Sequence, residues 1–289
     1  MSPGSRLLLL GLKGSGKTTY LAALWHLLEA GEAPAALALD ALQPDREYLN
    51  RIRDNWLAFE EVGRTPIRGA ETVSLVLRDR HKNSTAEVTI PDLSGESFRL
   101  QWAMRKTQRA YAEYVSQCTG LLLFTHPNAA HRSPLITPTE RLSKLPGPPG
   151  PASPWTAADS PVQVQLVELI QFVLHLRNIS GPLPIAIIVS AWDLIRAPQI
   201  PAAWFDARLP LLAQFLRANS RNLPSRIFGV SAVGGDLNED RARLTAETVP
   251  AKRIRILEDS LNHTNDLTAP LRFVLQTAAD IVTMKIDGK

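Results

Sequence analysis

The sequence predicts an α/β fold in which helices cover both faces of a mostly parallel sheet. Apolar strands alternate with amphipathic helices along most of the 289 residues, and two adjacent strands flank a short polar turn, as in an antiparallel hairpin. Hydrophobic residues make up 45% of the chain, which is enough for a large buried core. We therefore expect one domain over residues 1–289.

The first strand and the first helix enclose a glycine-rich loop. Residues 6–12 are an apolar run that predicts a buried strand. Residues 17–30 carry apolar side chains at helical spacing and are followed by Gly31, so they predict a helix that ends there.

The remaining elements follow from the same two periodicities. Further helices are predicted over 45–60, 98–117, 162–177, 204–218 and 269–283. Further strands are predicted over 72–78, 85–90, 120–125, 185–190 and 226–231. The strands at 72–78 and 85–90 alternate apolar and polar residues around a polar turn and should form the hairpin.

A proline-rich segment interrupts this alternation. Eight prolines lie within residues 133–161, including the run PGPPGP at 146–151. Proline lacks a backbone N–H, so this segment is incompatible with a helix or a central strand. We expect an inserted loop, extended or disordered, within the single domain.

Charge and cysteine content narrow the functional classes. The net charge is only +4, and the two basic clusters at 78–82 and 251–255 are short, so we expect solvated surface rather than a nucleic-acid groove. Cys118 is the sole cysteine, which excludes an internal disulfide. The first strand begins so early that we expect no signal or transit peptide, and we expect a cytoplasmic location.

The glycine-rich loop carries the strongest chemical signal. Its sequence GLKGSGKT matches G-x-x-x-x-G-K-[ST] and lies between a strand and a helix, as that phosphate-binding motif requires. Backbone N–H groups of such a loop surround phosphates, the lysine reaches the β- and γ-phosphates, and the hydroxyl residue binds Mg²⁺. The predicted nucleotide-binding residues here are Lys13, Gly14, Ser15, Gly16, Lys17, Thr18 and Thr19, with Thr18 also a metal ligand.

A second signal lies in TIPDLSGESF, residues 89–98. A predicted strand runs towards Asp92, and Gly95 follows three residues later. In P-loop proteins an aspartate at this strand end holds Mg²⁺ through water, and the glycine N–H meets a γ-phosphate. An ordinary strand-to-helix turn is the alternative.

Two further strand ends predict where a base is recognised. Asp193 lies three residues after the strand end at Ser190. Its carboxylate can accept hydrogen bonds from N1–H and N2–H of guanine, whereas adenine has no such pair of donors. The backbone N–H of Ala232, after Ser231, can donate to guanine O6. The alternative for Asp193 is that it caps a helical turn.

Taken in order, these four motifs resemble the Ras-like, translation-factor-related class of P-loop GTPases. The stretches GSGKTTYLAALW, DLSGESF and DLTAPLRFVLQ are most similar to the bacterial double-GTPase families. The resemblance implies a three-layer P-loop NTPase sandwich around a six-stranded sheet with one antiparallel edge strand. It also implies GTP or GDP with Mg²⁺, and a protein partner, either a second GTPase or a GTPase-activating-type protein.

The sequence departs from the class pattern at three places. Ser190-Ala191-Trp192-Asp193 lacks the lysine of [NT]-K-x-D, and Trp192 is a candidate to cover the base instead. Glu96 stands where a glutamine often orients the attacking water. The Mg²⁺-binding threonine of the first switch is either Thr72 or Thr65.

We therefore expect a GTP-binding switch with slow Mg²⁺-dependent hydrolysis, in which Lys17 and Glu96 are the catalytic candidates and Gly95 links the γ-phosphate to residues 96–106. Two alternatives remain open. One is a P-loop ATPase or kinase, for which the cluster at 251–255 is the candidate arginine-rich lid. The other is a scaffold that binds nucleotide without hydrolysis.

Overall fold

One mixed sheet of eight strands organises the chain in the computed structural model. The model describes residues 4–42, 46–60, 71–82, 84–92, 95–130, 160–237 and 239–287. The strands are β1 (Ser5–Leu10), β2 (Leu37–Leu42), β3 (Glu71–Asp79), β4 (Ser84–Asp92), β5 (Gly120–Thr125), β6 (Ile185–Ser190), β7 (Ser225–Ser231) and β8 (Arg255–Leu257).

The strand order is β2-β3-β4-β1-β5-β6-β7-β8. Strands β4, β1, β5, β6 and β7 are parallel neighbours, whereas β3 is antiparallel to both β2 and β4, and β8 is antiparallel to β7. The expectation of six strands with one antiparallel edge strand is therefore wrong. The antiparallel β3 is an interior strand, because β2 lies outside it, and the three-residue β8 adds a second antiparallel strand at the other edge.

Ten helices accompany the sheet in the described part of the chain. They are α1 (Lys17–Ala30), α2 (Glu47–Leu57), α3 (Gly95–Met104), α4 (Arg109–Ser116), α5 (Pro127–Ala130), α6 (Val162–Leu176), α7 (Pro201–Arg208), α8 (Pro210–Ala218), α9 (Arg241–Ala246) and α10 (Ala269–Asp287). Two predicted helices are each divided. Arg105 adopts a left-handed conformation, with φ 54°, between α3 and α4, and Pro210 begins a new helix after α7.

The two faces of the sheet carry separate cores. Alternate strand residues such as Leu7 and Leu9 pack beneath α1, α2 and α10. The intervening residues, such as Leu8 and Leu10, pack beneath α3, α4, α6, α7 and α8. Side chains alternate across a strand, so the apolar run of β1 serves both layers and explains why it lacks polar alternation.

The hairpin of β3 and β4 is fastened to the last helix by a buried carboxylate. Asp79 accepts hydrogen bonds from Arg272 Nε at 3.0 Å and Gln276 Nε2 at 2.9 Å, both on α10. It also accepts from the backbone N–H groups of His81 and Lys82 at the hairpin tip. The predicted antiparallel hairpin is confirmed, with β3 reaching Asp79 and β4 beginning at Ser84.

The proline-rich segment 133–161, predicted to be an inserted loop, lies almost entirely outside the described residues. Cys118 is fully buried, and burial raises the pKa of its thiol to about 12. No helix among the described residues is long and apolar enough to cross a bilayer.

Candidate functional site

The phosphate loop joins β1 to α1 and depends on glycine at two positions. Gly14 and Gly16 have φ values of 74° and 87°, in the left-handed region that favours glycine. A β-carbon at Gly16 would lie 2.9 Å from the β-carbon of Ser190. The loop therefore lies directly against the end of β6, where the first base-recognition motif begins.

Lys17 is buried in this loop with 5% of its surface exposed. Its Nζ donates to the carbonyl oxygen of Gly11 at 2.7 Å and to that of Leu12 at 3.3 Å. A lysine at the first position of a helix, surrounded by backbone carbonyls, is held at the loop's centre. Its ammonium is therefore hydrogen-bonded within the loop that the sequence motif assigns to phosphates.

The segment that follows β4 also reaches Lys17. Phe98 of α3 is fully buried, and the Lys17 ammonium lies 5.4 Å from the centre of its ring, within cation–π range. The phosphate loop and the helix that begins at Gly95 therefore touch. Sequence periodicity did not indicate this contact.

The predicted metal and γ-phosphate residues lie at element ends. Asp92 is the last residue of β4, and α3 begins at Gly95 with Glu96 in its first turn. The register that pairs Arg6 with Thr89 brings the end of β4 level with the end of β1, next to the phosphate loop.

The two threonine candidates are placed differently. Thr72 lies in β3 opposite Pro91, and it is exposed on the face opposite the buried Val73. Thr65 lies within 61–70, outside the described residues.

The two base-recognition motifs meet across neighbouring strands. The Ser231 hydroxyl donates a hydrogen bond to the Asp193 carboxylate, and the Ser231 oxygen accepts from the Gly234 N–H at 3.0 Å. Asp193 lies in a single 3₁₀ turn, Trp192–Leu194, that follows β6. Its carboxylate is thus oriented by β7, which the helix-cap alternative does not require.

Trp192 does not cover a base with an exposed face. Its ring is buried, stacks edge-on against Trp204 at 6.1 Å between centroids, and fills the space where a β-carbon at Gly229 would stand. Ala191, at the position of the missing lysine, adopts a left-handed conformation with φ 46°.

His126 is a neighbour of this site that sequence reasoning did not select. It follows β5, and its Nδ1 accepts from the Asn128 N–H at 3.2 Å, which leaves the ring proton on Nε2. Burial lowers the pKa of His126, and the charge of Asp193 offsets part of that shift. The His126 ring therefore lies within electrostatic range of the Asp193 carboxylate.

Comparison with known families identifies this arrangement. The family model described as Double-GTPase 1 matches residues 8–274, which include all of the motifs above. The chain belongs to the Double-GTPase 1 family. The resemblance predicted from the motifs is therefore confirmed.

Two of the solved structures that match this chain have low sequence identity and low TM-scores. A bacterial selenocysteine-specific elongation factor, EF-Sec, is 14% identical over 84% of this chain, with a TM-score of 0.36, and the chain spans 28% of its length. The signal recognition particle receptor SRb-GTP/SRX complex from Chaetomium thermophilum is 13% identical over 84% of this chain and 97% of that one, with a TM-score of 0.39. Among curated proteins, none matches this chain.

In this double-GTPase, α2 also touches the base-recognition turn. Trp56 Nε1 donates to the carbonyl oxygen of Ala232 at 3.1 Å. The Arg253 guanidinium lies between the rings of Trp56 and Phe59, 4.6 Å and 4.4 Å from their centres. The sequence predicted only the helix over 45–60 that carries Trp56, because no local pattern links Trp56 to Ala232.

The basic cluster at 251–255 takes part in this packing. Arg253 is 6% exposed and ends a 3₁₀ turn, Pro250–Arg253, and Arg255 begins β8. The expectation of a solvated surface is wrong for Arg253, whose guanidinium is enclosed by aromatic rings. Arg253 is therefore not available as a lid residue for the kinase alternative, whereas Lys252 and Arg255 of the same cluster are exposed.

Proposed function

We propose that this double-GTPase is a GTP-binding molecular switch that hydrolyses GTP slowly with Mg²⁺ and acts with a protein partner. One observation carries the proposal. The phosphate loop packs against Ser190 at Gly16, and Asp193 after that strand is hydrogen-bonded by Ser231, so the phosphate and base motifs lie next to each other at the ends of neighbouring strands.

Guanine is the base that suits the polar groups of the two base-recognition motifs. The Asp193 carboxylate accepts from the paired N1–H and N2–H donors of guanine, and the N–H of Ala232 donates to O6. Adenine leaves a carboxylate unsatisfied at this position, and an unpaired polar group costs about 1–3 kcal/mol when it is buried. The missing lysine weakens but does not remove this preference.

The residues around the phosphate loop fit Mg²⁺ by their chemistry. The Thr18 hydroxyl and the Asp92 carboxylate are oxygen ligands of the kind Mg²⁺ takes, and α1 begins at the edge of the sheet where β4 ends. Thr72 or Thr65 is the third candidate. When bound, Mg²⁺ neutralises negative charge on the phosphate oxygens. Lys17 adds a second positive charge at the loop's centre.

Slow hydrolysis follows from the residue after Gly95. Glu96 carries the same sign of charge as a γ-phosphate, so it is poorly suited to orient water beside it. Gly95 and Phe98 connect the phosphate region to residues 96–106, and the Lys17–Phe98 contact supports such a link. A partner that supplies an arginine in trans would accelerate the step, and the family's name suggests a second GTPase.

Binding titrations with GTP, GDP and ATP in the presence of Mg²⁺, followed by turnover measurements, test this proposal. We expect GTP and GDP to bind at least about tenfold more tightly than ATP, a difference of about 1.4 kcal/mol. Equal affinity for GTP and ATP would favour the ATPase alternative. Tight GTP binding with no turnover, even with partners present, would favour the scaffold.

A further inference from the structure

We infer that Trp56 positions the turn that recognises the O6 edge of guanine. The inference rests on the proposed function, because it concerns the same base site. Trp56 acts through Ala232 rather than on the nucleotide itself, so it is a positioning residue.

The indole of Trp56 fixes the direction of one peptide group in this turn. An indole N–H is a donor only, and that of Trp56 donates to the Ala232 carbonyl at 3.1 Å. In a trans peptide the C=O and the following N–H point in opposite directions. The bond therefore turns the Val233 N–H away from Trp56 and fixes the peptide next to the Ala232 N–H.

The two ends of this turn are held by contacts other than the hydrogen bond from Trp56. Ser231 anchors the start, because its oxygen accepts from the Gly234 N–H and its hydroxyl donates to Asp193. Gly234 anchors the end. Its φ is 94°, and a β-carbon added at Gly234 would lie only 2.4 Å from the Arg253 carbonyl oxygen, so the two backbone segments pack closely. The bond from Trp56 restrains the residue between these anchors.

The Trp56 indole is itself buried and packed against its neighbours. Trp56 is 3% exposed, with the Arg253 guanidinium over its ring and the His26 ring 5.2 Å away. A donor fixed before the ligand binds needs no reordering on binding, so it preserves affinity.

The consequence is a specific loss when the indole N–H is removed. The turn then samples other orientations, and its hydrogen bond to O6 weakens. We expect Trp56→Phe to lower GTP affinity about threefold to tenfold, as for one neutral hydrogen bond. The contact of Asp193 with N1–H and N2–H should persist.

Binding of GTP, 6-thio-GTP and ITP in mildly acidic buffer separates these contacts. In 6-thio-GTP a sulfur, which is a poor acceptor, replaces O6, whereas ITP lacks the 2-amino group that faces Asp193. In the unmodified chain both analogues should bind several-fold more weakly than GTP. In Trp56→Phe the 6-thio penalty should fall by at least half, while the ITP penalty stays the same.

Trp25→Phe is the matched control. It removes the hydrogen bond from Trp25 Nε1 to Asn50 Oδ1 at 3.0 Å, which joins α1 to α2 and does not touch the turn, so it should keep both penalties. Replacement of Trp56 by 3-benzothienylalanine removes only the N–H from the same shape, and it gives the same test if the phenylalanine variant does not fold.

The outcomes separate the inference from the function beneath it. A full 6-thio penalty in the Trp56 variants, with GTP still preferred over ATP, overturns the inference and leaves the proposed function intact. Equal affinity of the unmodified chain for GTP and ATP overturns both.

Discussion

The Ser231 hydroxyl donates a hydrogen bond to the Asp193 carboxylate, although 38 residues separate them in the chain. The bond joins the ends of two adjacent parallel strands, β6 and β7. It satisfies one acceptor of the carboxylate and orients the others, and under the proposed function those acceptors receive two donors from one edge of the base.

Asp193→Asn should change which base is preferred. An amide can accept from only one of the two guanine donors, so GTP affinity should fall at least about tenfold. Xanthosine triphosphate should gain affinity, because it presents an oxygen where guanine has its amino group. Competition binding measures both changes. Asp206→Asn, in an exposed ion pair with Arg217, is the control, and an unchanged preference would remove Asp193 from the base site.

Lys17→Ala should abolish triphosphate binding or turnover and leave the fold intact. The ammonium bonds loop carbonyls rather than filling a core position, so its main loss is charge beside the phosphates. Calorimetry with GTP tests binding, and circular dichroism tests folding. Lys82→Ala, at the exposed hairpin tip, should bind GTP normally. A folded Lys17 variant with full affinity and turnover would contradict the assignment.

Hydrolysis by the chain alone should be slow and should accelerate with a partner. Glu96 is poorly suited to orient water, and an arginine supplied in trans contributes roughly 10³–10⁵ in rate. Single-turnover measurements with and without candidate partners test this. Arg64 and Arg68 lie in the sequence near Thr65, one of the two first-switch threonine candidates, so Arg64→Ala and Arg68→Ala are the informative variants. If the chain alone hydrolyses GTP rapidly and either change abolishes that hydrolysis, the arginine acts in cis.

Asp79→Asn should lower stability in a pH-dependent manner. Burial alone raises the pKa of Asp79, but hydrogen bonds from Arg272, Gln276 and two hairpin N–H groups outweigh it and hold the pKa well below its ordinary value. The carboxylate therefore stabilises the fold above the unfolded pKa of about 4, and this contribution is lost as the pH falls through the acid range.

At neutral pH the substitution should lower the free energy of unfolding by about 2 kcal/mol, as for a hydrogen bond to a charged group. Urea unfolding across the acid range measures the difference, which should narrow below about pH 4. Asp40→Asn, in a more exposed pair with Arg78, should show a small effect at every pH. A constant difference at all pH values would contradict the ionic role of Asp79.

Sequence patterns predicted the interior of the sheet well and its edges poorly. Strands β5 and β6 are buried on both faces, so their unbroken apolar runs mark them from end to end. The edge strand β2 reads LALDAL, which lacks the β-branched and aromatic residues that favour strands, and β8 has only three residues. Neither carries a local signal strong enough for prediction.

The same limit applies to the candidate site. Motif spacing located Lys17, Asp193 and Ser231, because each follows a strong strand. The bond from Trp56 to Ala232 joins residues 176 positions apart, and it depends on how α2 packs rather than on any spacing. The roles of these residues in binding and hydrolysis stay predictions.

Both edges of the sheet are unsuited to adding a strand from another molecule. At one edge, β2 has an irregular register between Leu39 and Ala41 and carries the charged Asp40. At the other, Ile256 of β8 already exchanges two backbone hydrogen bonds with Thr264 on its outer side. Edge-to-edge growth needs a long, regular row of exposed backbone groups. Native chains at high concentration should therefore resist fibrillar aggregation, and aggregates should arise from unfolded chains instead.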